Sequence, residues 1–105
     1  MSTVVLCVDL MDRSKIGAAH PDAVFVRSAT ALAERVAGGA VDGAVTAVIV
    51  DLSRPDALAA IEAASAAGLG VTAFGSHVDE AMLAAARDAG ATDVLPRSRF
   101  FARLG

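Results

Sequence analysis

The sequence predicts an α/β fold, a doubly wound five-stranded parallel sheet in the order 2-1-3-4-5 with a short last helix. Short runs rich in β-branched residues alternate five times with alanine-rich segments of helical composition. Two of these runs, residues 4–8 and 48–50, are apolar without alternation, which is typical of strands buried on both faces. The length of 105 residues suits one domain, predicted over 1–105, and is too short for an eight-stranded barrel.

The predicted elements follow one another in alternation. Strands are expected at residues 3–8, 23–27, 45–51, 70–74 and 92–95, and helices at 12–19, 29–37, 55–67, 79–89 and, as a short stub, 99–104. Ser53 and Ser76 are candidate helix N-caps, because their hydroxyls can accept hydrogen bonds from free backbone N–H groups. Gly38, Gly68 and Gly90 stand where helices should stop, and residues 40–44 are expected to form an exposed loop.

Composition and charge exclude several classes of protein. A hydrophobic share of 55% with a net charge of −3 argues against intrinsic disorder and against nucleic-acid binding. The chain does not start with a basic segment, and its apolar stretches are too short or interrupted for a signal peptide or a membrane span. Cys7 has no second cysteine to pair with and lies in an apolar run, so we expect a buried thiol in a reducing, cytoplasmic compartment.

Functional residues are expected at the carboxyl ends of the strands, because ligands bind there in open parallel sheets. The residues that follow the predicted strands are Asp9, Ser28, Asp51, Gly75 with Ser76 and His77, and Arg97. Strands 1 and 3 are neighbours in the predicted order, about 5 Å apart, so Asp9 and Asp51 should lie side by side. Two carboxylates that close repel each other unless a proton or a cation joins them. A metal ion and an arginine are the two candidates.

Three segments of the chain resemble the receiver domains of response regulators, the flavodoxin-like fold of the chemotaxis-regulator type. They are residues 48–56, in which a strand ends at Asp51, residues 71–77, which are similar to the fourth strand and its switch residue, and residues 89–97, with the Ala-Gly-Ala approach to the fifth strand. The resemblance implies that Asp51 stands at the phospho-accepting position. It also implies that Arg97 stands where receivers carry a lysine.

Departures from the receiver pattern favour a degenerate, stand-alone pseudo-receiver. Receivers normally end the first strand with a pair of acids that help to hold Mg²⁺, whereas Asp9 is followed by a leucine. The Thr or Ser that normally follows the fourth strand aligns with Gly75, which leaves Ser76 one place late. Arg97 would neutralise Asp9 or Asp51 without a metal, since a guanidinium pairs with a carboxylate through two hydrogen bonds.

Two other functions stay open. A phospho-accepting receiver would use Asp9, Asp51 and Asp12 to hold Mg²⁺. A small-anion or nucleotide-binding module would use the cations that the fold gathers at the same edge, unless these form salt bridges with neighbouring acids or remain solvated. The cations are Arg13, Lys15, Arg54, His77, Arg97 and Arg99.

The preferred function is a non-enzymatic signalling or regulatory module that takes no cofactor and binds another protein or its own copy. Asp9, Asp51 and Arg97 would form a pre-set charge cluster in place of a phosphorylation switch, with Ser76 and His77 beside it. Further contacts to a partner are expected from Arg13, Arg54 and Arg99. The adjacent Phe100 and Phe101 predict either a dimer or partner surface or a frayed end of the chain.

Overall fold

A computed structural model describes residues 2–37 and 45–104, which form one sheet with helices on both sides. The strands are β1 (Ser2–Leu6), β2 (Ala23–Val26), β3 (Val45–Asp51), β4 (Val71–Gly75) and β5 (Asp93–Pro96). Neighbouring strands are parallel and their order is β2-β1-β3-β4-β5. The predicted doubly wound topology is therefore confirmed.

The helices of the described ranges are α1 (Leu10–Ala19), α2 (Ala29–Val36), α3 (Ala57–Ala66), α4 (Glu80–Asp88) and α5 (Arg97–Leu104). Each lies close to its predicted position, but four boundaries differ by two residues. β1 ends two residues before its predicted end, α1 and α5 each begin two residues earlier than predicted, and α3 begins two residues later. None of these helices is long and apolar enough to cross a membrane.

Two features of the helix ends differ from the prediction, and two agree with it. Aspartates rather than serines precede α3 and α4, and Asp79 caps α4 by accepting a backbone hydrogen bond at 3.1 Å. Gly68 and Gly90 end α3 and α4 as predicted, with φ angles of +79° and +115°. A Cβ at Gly90 would overlap the hydroxyl of Ser65, so that position requires glycine. Gly38 and the predicted loop at 40–44 lie outside the described residues.

The alternation of side chains along each strand divides the core into two clusters. On one face Val5, Ile49 and Phe74 pack against Ile16 of α1 and Phe100 of α5. The opposite face is covered by α2, α3 and α4 and forms the larger cluster. Because both faces are covered, the central strands are apolar throughout, which is why their sequences do not alternate.

An aromatic cluster anchors α5 to the sheet. The ring of Phe100 stacks on Phe74 with centroids 4.4 Å apart, and Phe101 meets Phe74 edge-on at 5.3 Å. Phe100 is 4% exposed and Phe101 is half-buried. α5 is therefore packed on the core, so the predicted frayed end is wrong, whereas the predicted dimer or partner surface at these two aromatics stays a prediction.

Candidate functional site

Asp51 is the last residue of β3, and only 3% of its surface is exposed. Its Oδ1 accepts a hydrogen bond from the backbone N–H of Ser53 at 2.9 Å. Its Oδ2 lies 3.9 Å from the sulfur of Cys7, and the thiol donates to it. Each carboxylate oxygen thus has a donor from the chain itself, and together these donors hold the carboxylate in one orientation.

Cys7 reaches Asp51 because β1 and β3 pair in register, with Leu6 opposite Val50. Burial and then the negative charge of Asp51 raise the pKa of the Cys7 thiol to about 11. The thiol consequently keeps its proton at neutral pH, where it is a weak hydrogen-bond donor rather than a nucleophile or a metal ligand.

The acid that joins this group is Asp12, whereas the sequence predicted Asp9. The ligand atoms of Cys7, Asp12 and Asp51 lie within 4.8 Å of one another, and all three residues are buried. Asp9 is exposed, and its carboxylate caps α1 by accepting the N–H of Asp12 at 3.0 Å. Because β1 ends at Leu6, position 9 belongs to the start of the helix rather than to the end of the strand.

Arg97, the first residue of α5, pairs with the buried Asp12. Its Nη1 and Nη2 donate to the two carboxylate oxygens, each at 2.9 Å. The same guanidinium lies over the rings of Phe74 and Phe101, 5.6 and 5.2 Å from their centroids. The hydrogen bonds to Asp12 raise the pKa of Arg97 above its ordinary value. The group of buried acids therefore contains a fixed cation supplied by the chain.

This arrangement corrects the predicted pairing of Arg97 with Asp9 or Asp51, and it also concerns the predicted ligands of Mg²⁺. Arg97 contacts neither Asp9 nor Asp51 by a hydrogen bond among the described residues, because Asp12 takes both of its terminal nitrogens. Mg²⁺ requires octahedral oxygen ligands, but both oxygens of Asp12 are engaged and the third donor of the group is the protonated sulfur of Cys7. These donors, as the structure holds them, do not fit Mg²⁺.

The end of β4 is filled by a neighbouring side chain. A Cβ placed on the buried Gly75 would lie 3.0 Å from Cβ and 3.1 Å from Cδ1 of Leu52, which is itself 4% exposed. Ser76 and His77 follow on an exposed turn, where the Ser76 hydroxyl accepts from the N–H of Val78 at 3.4 Å. The predicted switch residues thus lie on the outer side of the site, and Leu52 occupies the space beside Gly75.

A cavity of about 190 Å³ opens beside Asp51. It lies between the loop after β3, the end of β4 and the first turn of α4, and Arg97 closes it on the side of α5. Its lining residues are Asp51, Leu52, Ser53, Gly75, Ser76, Asp79, Met82, Leu83 and Arg97.

Arg54, one of the predicted contact residues, is used to join two loops. Its Nη2 donates to the backbone carbonyl of Arg27 at 3.0 Å, and its Nε lies 3.6 Å from Oδ1 of Asp56. Asp56 in turn accepts the N–H of Ala29 at 2.7 Å. These contacts tie the start of α3 to the start of α2, so Arg54 does not point freely into an anion site.

The remaining predicted cations do not converge on one point. Arg13 lies over the ring of Phe25 at 5.0 Å, and Lys15 lies over an aromatic ring of α5 at 5.3 Å. Arg99 is exposed on α5. The sequence predicted correctly that these residues follow the strands, but the structure spreads them over different faces of α1 and α5.

The large apolar side chains that are exposed within the described ranges lie at this same edge of the sheet. Val8, Leu10 and Met11 are 42%, 76% and 69% exposed between β1 and the first turn of α1, and Val78 is 75% exposed before α4. We call these four residues the apolar rim. The sequence contained a signal for this surface, because Leu10 and Met11 directly precede the buried Asp12 at the start of a helix. Only the position at which β1 ends shows that the side chains of Leu10 and Met11 face outward.

No protein-family model matches the sequence, and no curated protein matches it. Solved structures do match. The fold is similar to that of a response regulator in red light signaling of R. palustris, with a TM-score of 0.72 at 16% identity, over 99% of this chain and 89% of that chain. It is also similar to a protein described as pilus-assembly-related from Burkholderia pseudomallei K96243, with a TM-score of 0.70 at 21% identity, over 99% and 88% of the two chains.

A third similar structure is a CpaE2 pilus assembly protein from Sinorhizobium meliloti 1021, with a TM-score of 0.56 at 22% identity, over 97% of this chain and 95% of that chain. These likenesses extend over nearly the whole of each chain. They show that the fold is the receiver-like, flavodoxin-like fold that the three sequence segments resembled.

Proposed function

We propose that this receiver-like chain is a non-enzymatic signalling or regulatory module that binds a protein partner and works without phosphorylation. The observation that carries the proposal is the ion pair between Arg97 and the buried Asp12, in which two hydrogen bonds of 2.9 Å join both carboxylate oxygens to one guanidinium. A cation that the chain supplies itself replaces a metal ion at the acid group.

The surroundings of Asp51 support the same proposal. Phosphoryl transfer to a carboxylate requires an exposed oxygen and cations that neutralise the incoming charge. Only 3% of the surface of Asp51 is exposed, and its two carboxylate oxygens accept hydrogen bonds from the Ser53 N–H and the Cys7 thiol. Arg97, which lines the same cavity as Asp51, is already committed to Asp12.

The apolar rim supports protein binding at this edge. Contiguous exposed apolar side chains bordered by polar groups are typical of interaction surfaces. Leu10, Met11 and Val78 are each more than two-thirds exposed, and the polar residues Asp9 and His77 lie next to them in the sequence. We propose that a partner, or a second copy of this chain, covers this rim in the cytoplasm.

A second candidate function is a phospho-accepting receiver, favoured by one observation. Asp51 and Arg97 both line the cavity of about 190 Å³, so a small phosphate donor entering it would meet an acceptor carboxylate and a cation. In that case the Asp12 pair would have to open to admit a metal ion.

Incubation with acetyl phosphate and Mg²⁺, followed by intact-mass spectrometry, separates the two functions. We expect no added phosphoryl group on the wild-type chain, because the Asp51 oxygens are held internally. The matched variants are Asp51→Asn, which cannot accept, and Arg97→Lys, which restores the residue type that receivers carry. A phosphoryl group on the wild-type chain that disappears in Asp51→Asn would establish the second function instead.

A further inference from the structure

A second cavity, of about 250 Å³, lies at the opposite end of the sheet, beneath the last turns of α1 and α5. We infer that it binds a small organic carboxylate with an apolar body, of the size of one substituted ring. It is separate from the group around Asp51, and none of the residues of that group lines it. The lining residues are Thr3, His20, Ala47, Val48, Ile49, Thr72, Leu95, Phe100, Arg103 and Leu104.

The cavity exists because short helices cover long strands. Thr3, Ala47 and Thr72 lie near the starts of β1, β3 and β4, on the same face as the residues that α1 and α5 cover nearer the other end. α1 ends at Ala19 and α5 at Leu104, and the side chains beneath those ends are small. The sheet therefore leaves a pocket there instead of a packed core.

A hydroxyl on the wall of the cavity offers a hydrogen-bonding group to a ligand. Thr3 is 5% exposed and lines the cavity, and within residues 2–37 and 45–104 its hydroxyl has no hydrogen-bond partner. The oxygen is accessible from the cavity, and a hydroxyl can both donate and accept a hydrogen bond. The half-buried Thr72, also on the lining, offers a second hydroxyl. A polar ligand atom would satisfy one or both of them.

The walls define the chemical class of the ligand. Ile49, Leu95 and Phe100 provide an apolar surface that suits a hydrocarbon ring or chain. At the mouth, the guanidinium of Arg103 and the imidazole of His20 supply hydrogen-bond donors for an anion. No carboxylate is among the lining residues in the described ranges, and the Asp93 carboxylate that lies beside Arg103 is paired with it.

Arg103 is available for such a ligand although it has a partner. It donates to Asp93 at 3.0 Å, and the two side chains are 59% and 42% exposed. Exposed ion pairs of this kind contribute little to stability, because water screens them. The guanidinium can therefore exchange Asp93 for the carboxylate of a ligand at small cost, whereas the buried pair at the other end of the sheet cannot.

The volume limits the size of the ligand. A cavity of about 150 Å³ holds benzene, so about 250 Å³ accommodates a ring with a carboxylate and a few further atoms. Benzoate is accordingly the probe, with benzyl alcohol as its uncharged counterpart.

The first experiment is an amide NMR titration of the whole chain with benzoate. We expect saturable shifts around Thr3, Ala47, Thr72 and Arg103, and none around Asp51. Shifts that do not saturate, or that centre on the carboxyl ends of the strands, would overturn the inference. Since this titration uses the wild-type chain and a site remote from Asp51, its failure would leave the proposed function untouched.

Two variants test the two halves of the site. Ala47→Leu fills the cavity and should abolish binding of both probes, while Ala84→Leu, the same change on the exposed face of α4, should leave binding unchanged. Arg103→Gln, at an exposed helix position, should weaken benzoate at least about tenfold and leave benzyl alcohol unaffected. Equal benzoate affinity in the wild type and in both site variants would contradict the assignment, and Arg103→Gln decides the matter if Ala47→Leu does not fold.

Discussion

Asp12 and Arg97 share one ion pair but differ in what each would lose if the other were removed. The Asp12 side chain is 5% exposed and the Arg97 side chain is 45% exposed. Without its partner, Arg97 can turn toward water, whereas Asp12 would stay buried as an unpaired charge. The ion pair thus compensates the buried charge of Asp12, and loss of Arg97 costs more stability than loss of Asp12.

Replacing Arg97 should therefore destabilise the fold more than replacing Asp12. We expect Arg97→Met to lower the free energy of unfolding by about 3 kcal/mol, and Asp12→Asn by about 1 kcal/mol. Urea unfolding followed by circular dichroism measures both, which suits a chain with no Trp or Tyr. A larger loss for Asp12→Asn than for Arg97→Met would contradict the burial argument.

Cys7 makes stability depend on pH in the alkaline range. The folded thiol has a pKa of about 11 against an ordinary value of 9.0, so the folded state keeps a proton that the unfolded chain releases. The contribution of Cys7 to the free energy of unfolding is therefore complete below pH 9. It falls by up to about 2 or 3 kcal/mol as the pH rises toward 11.

Chemical denaturation at several pH values checks this expectation, and Cys7→Ala is the control in which this loss should vanish. The chain has no tyrosine and Lys15 is its only lysine, so few other groups titrate in the same interval. An identical alkaline loss in the control would show that Cys7 is not its source.

At the scale of elements, the order of the strands could be predicted from the sequence, but the composition of the site could not. Runs such as 48–50 show burial on both faces, and that is sufficient for a parallel sheet. The end of β1 was mistaken because Cys7 and Val8 are as apolar as the strand itself. Asp12 lies four residues before the buried Ile16, and this helical spacing was the available signal for its inward position.

The contact between β4 and the loop after β3 explains the glycine at position 75. Gly75→Ala should lower the free energy of unfolding by about 1 to 3 kcal/mol, because the new Cβ would press on the packed Leu52. Adding Leu52→Val should recover part of that loss, and thermal unfolding of the two variants measures it. A Gly75→Ala chain as stable as the wild type would show that Leu52 moves aside freely.

At the scale of the whole molecule, the two ends of the sheet serve different purposes. The carboxyl ends of the strands carry a closed charge group at the same edge as the apolar rim, and the amino ends carry the open cavity under α1 and α5. The core between them is continuous through β3, whose side chains reach both ends. We expect a ligand at one end to leave the ion pair at the other end intact.

The apolar rim should contribute to binding and not to folding. Leu10→Ser should change the free energy of unfolding by no more than about 0.5 kcal/mol, since the side chain is 76% exposed. Leu32→Ala, at a fully buried leucine of α2, should cost about 2 to 5 kcal/mol in the same assay. A large loss for Leu10→Ser would mean that the rim is part of the core and would remove the argument for a partner there.

The central claim, that Arg97 and Asp12 form a closed charge group in place of a phosphorylation switch, is tested most directly by amide NMR with beryllofluoride and Mg²⁺. This reagent mimics a phosphoryl group on an accessible aspartate. We predict no saturable shifts around Asp51, Gly75 and Arg97 in the wild-type chain. Saturable shifts at these residues that vanish in Asp51→Asn would contradict the claim and establish a working phospho-acceptor.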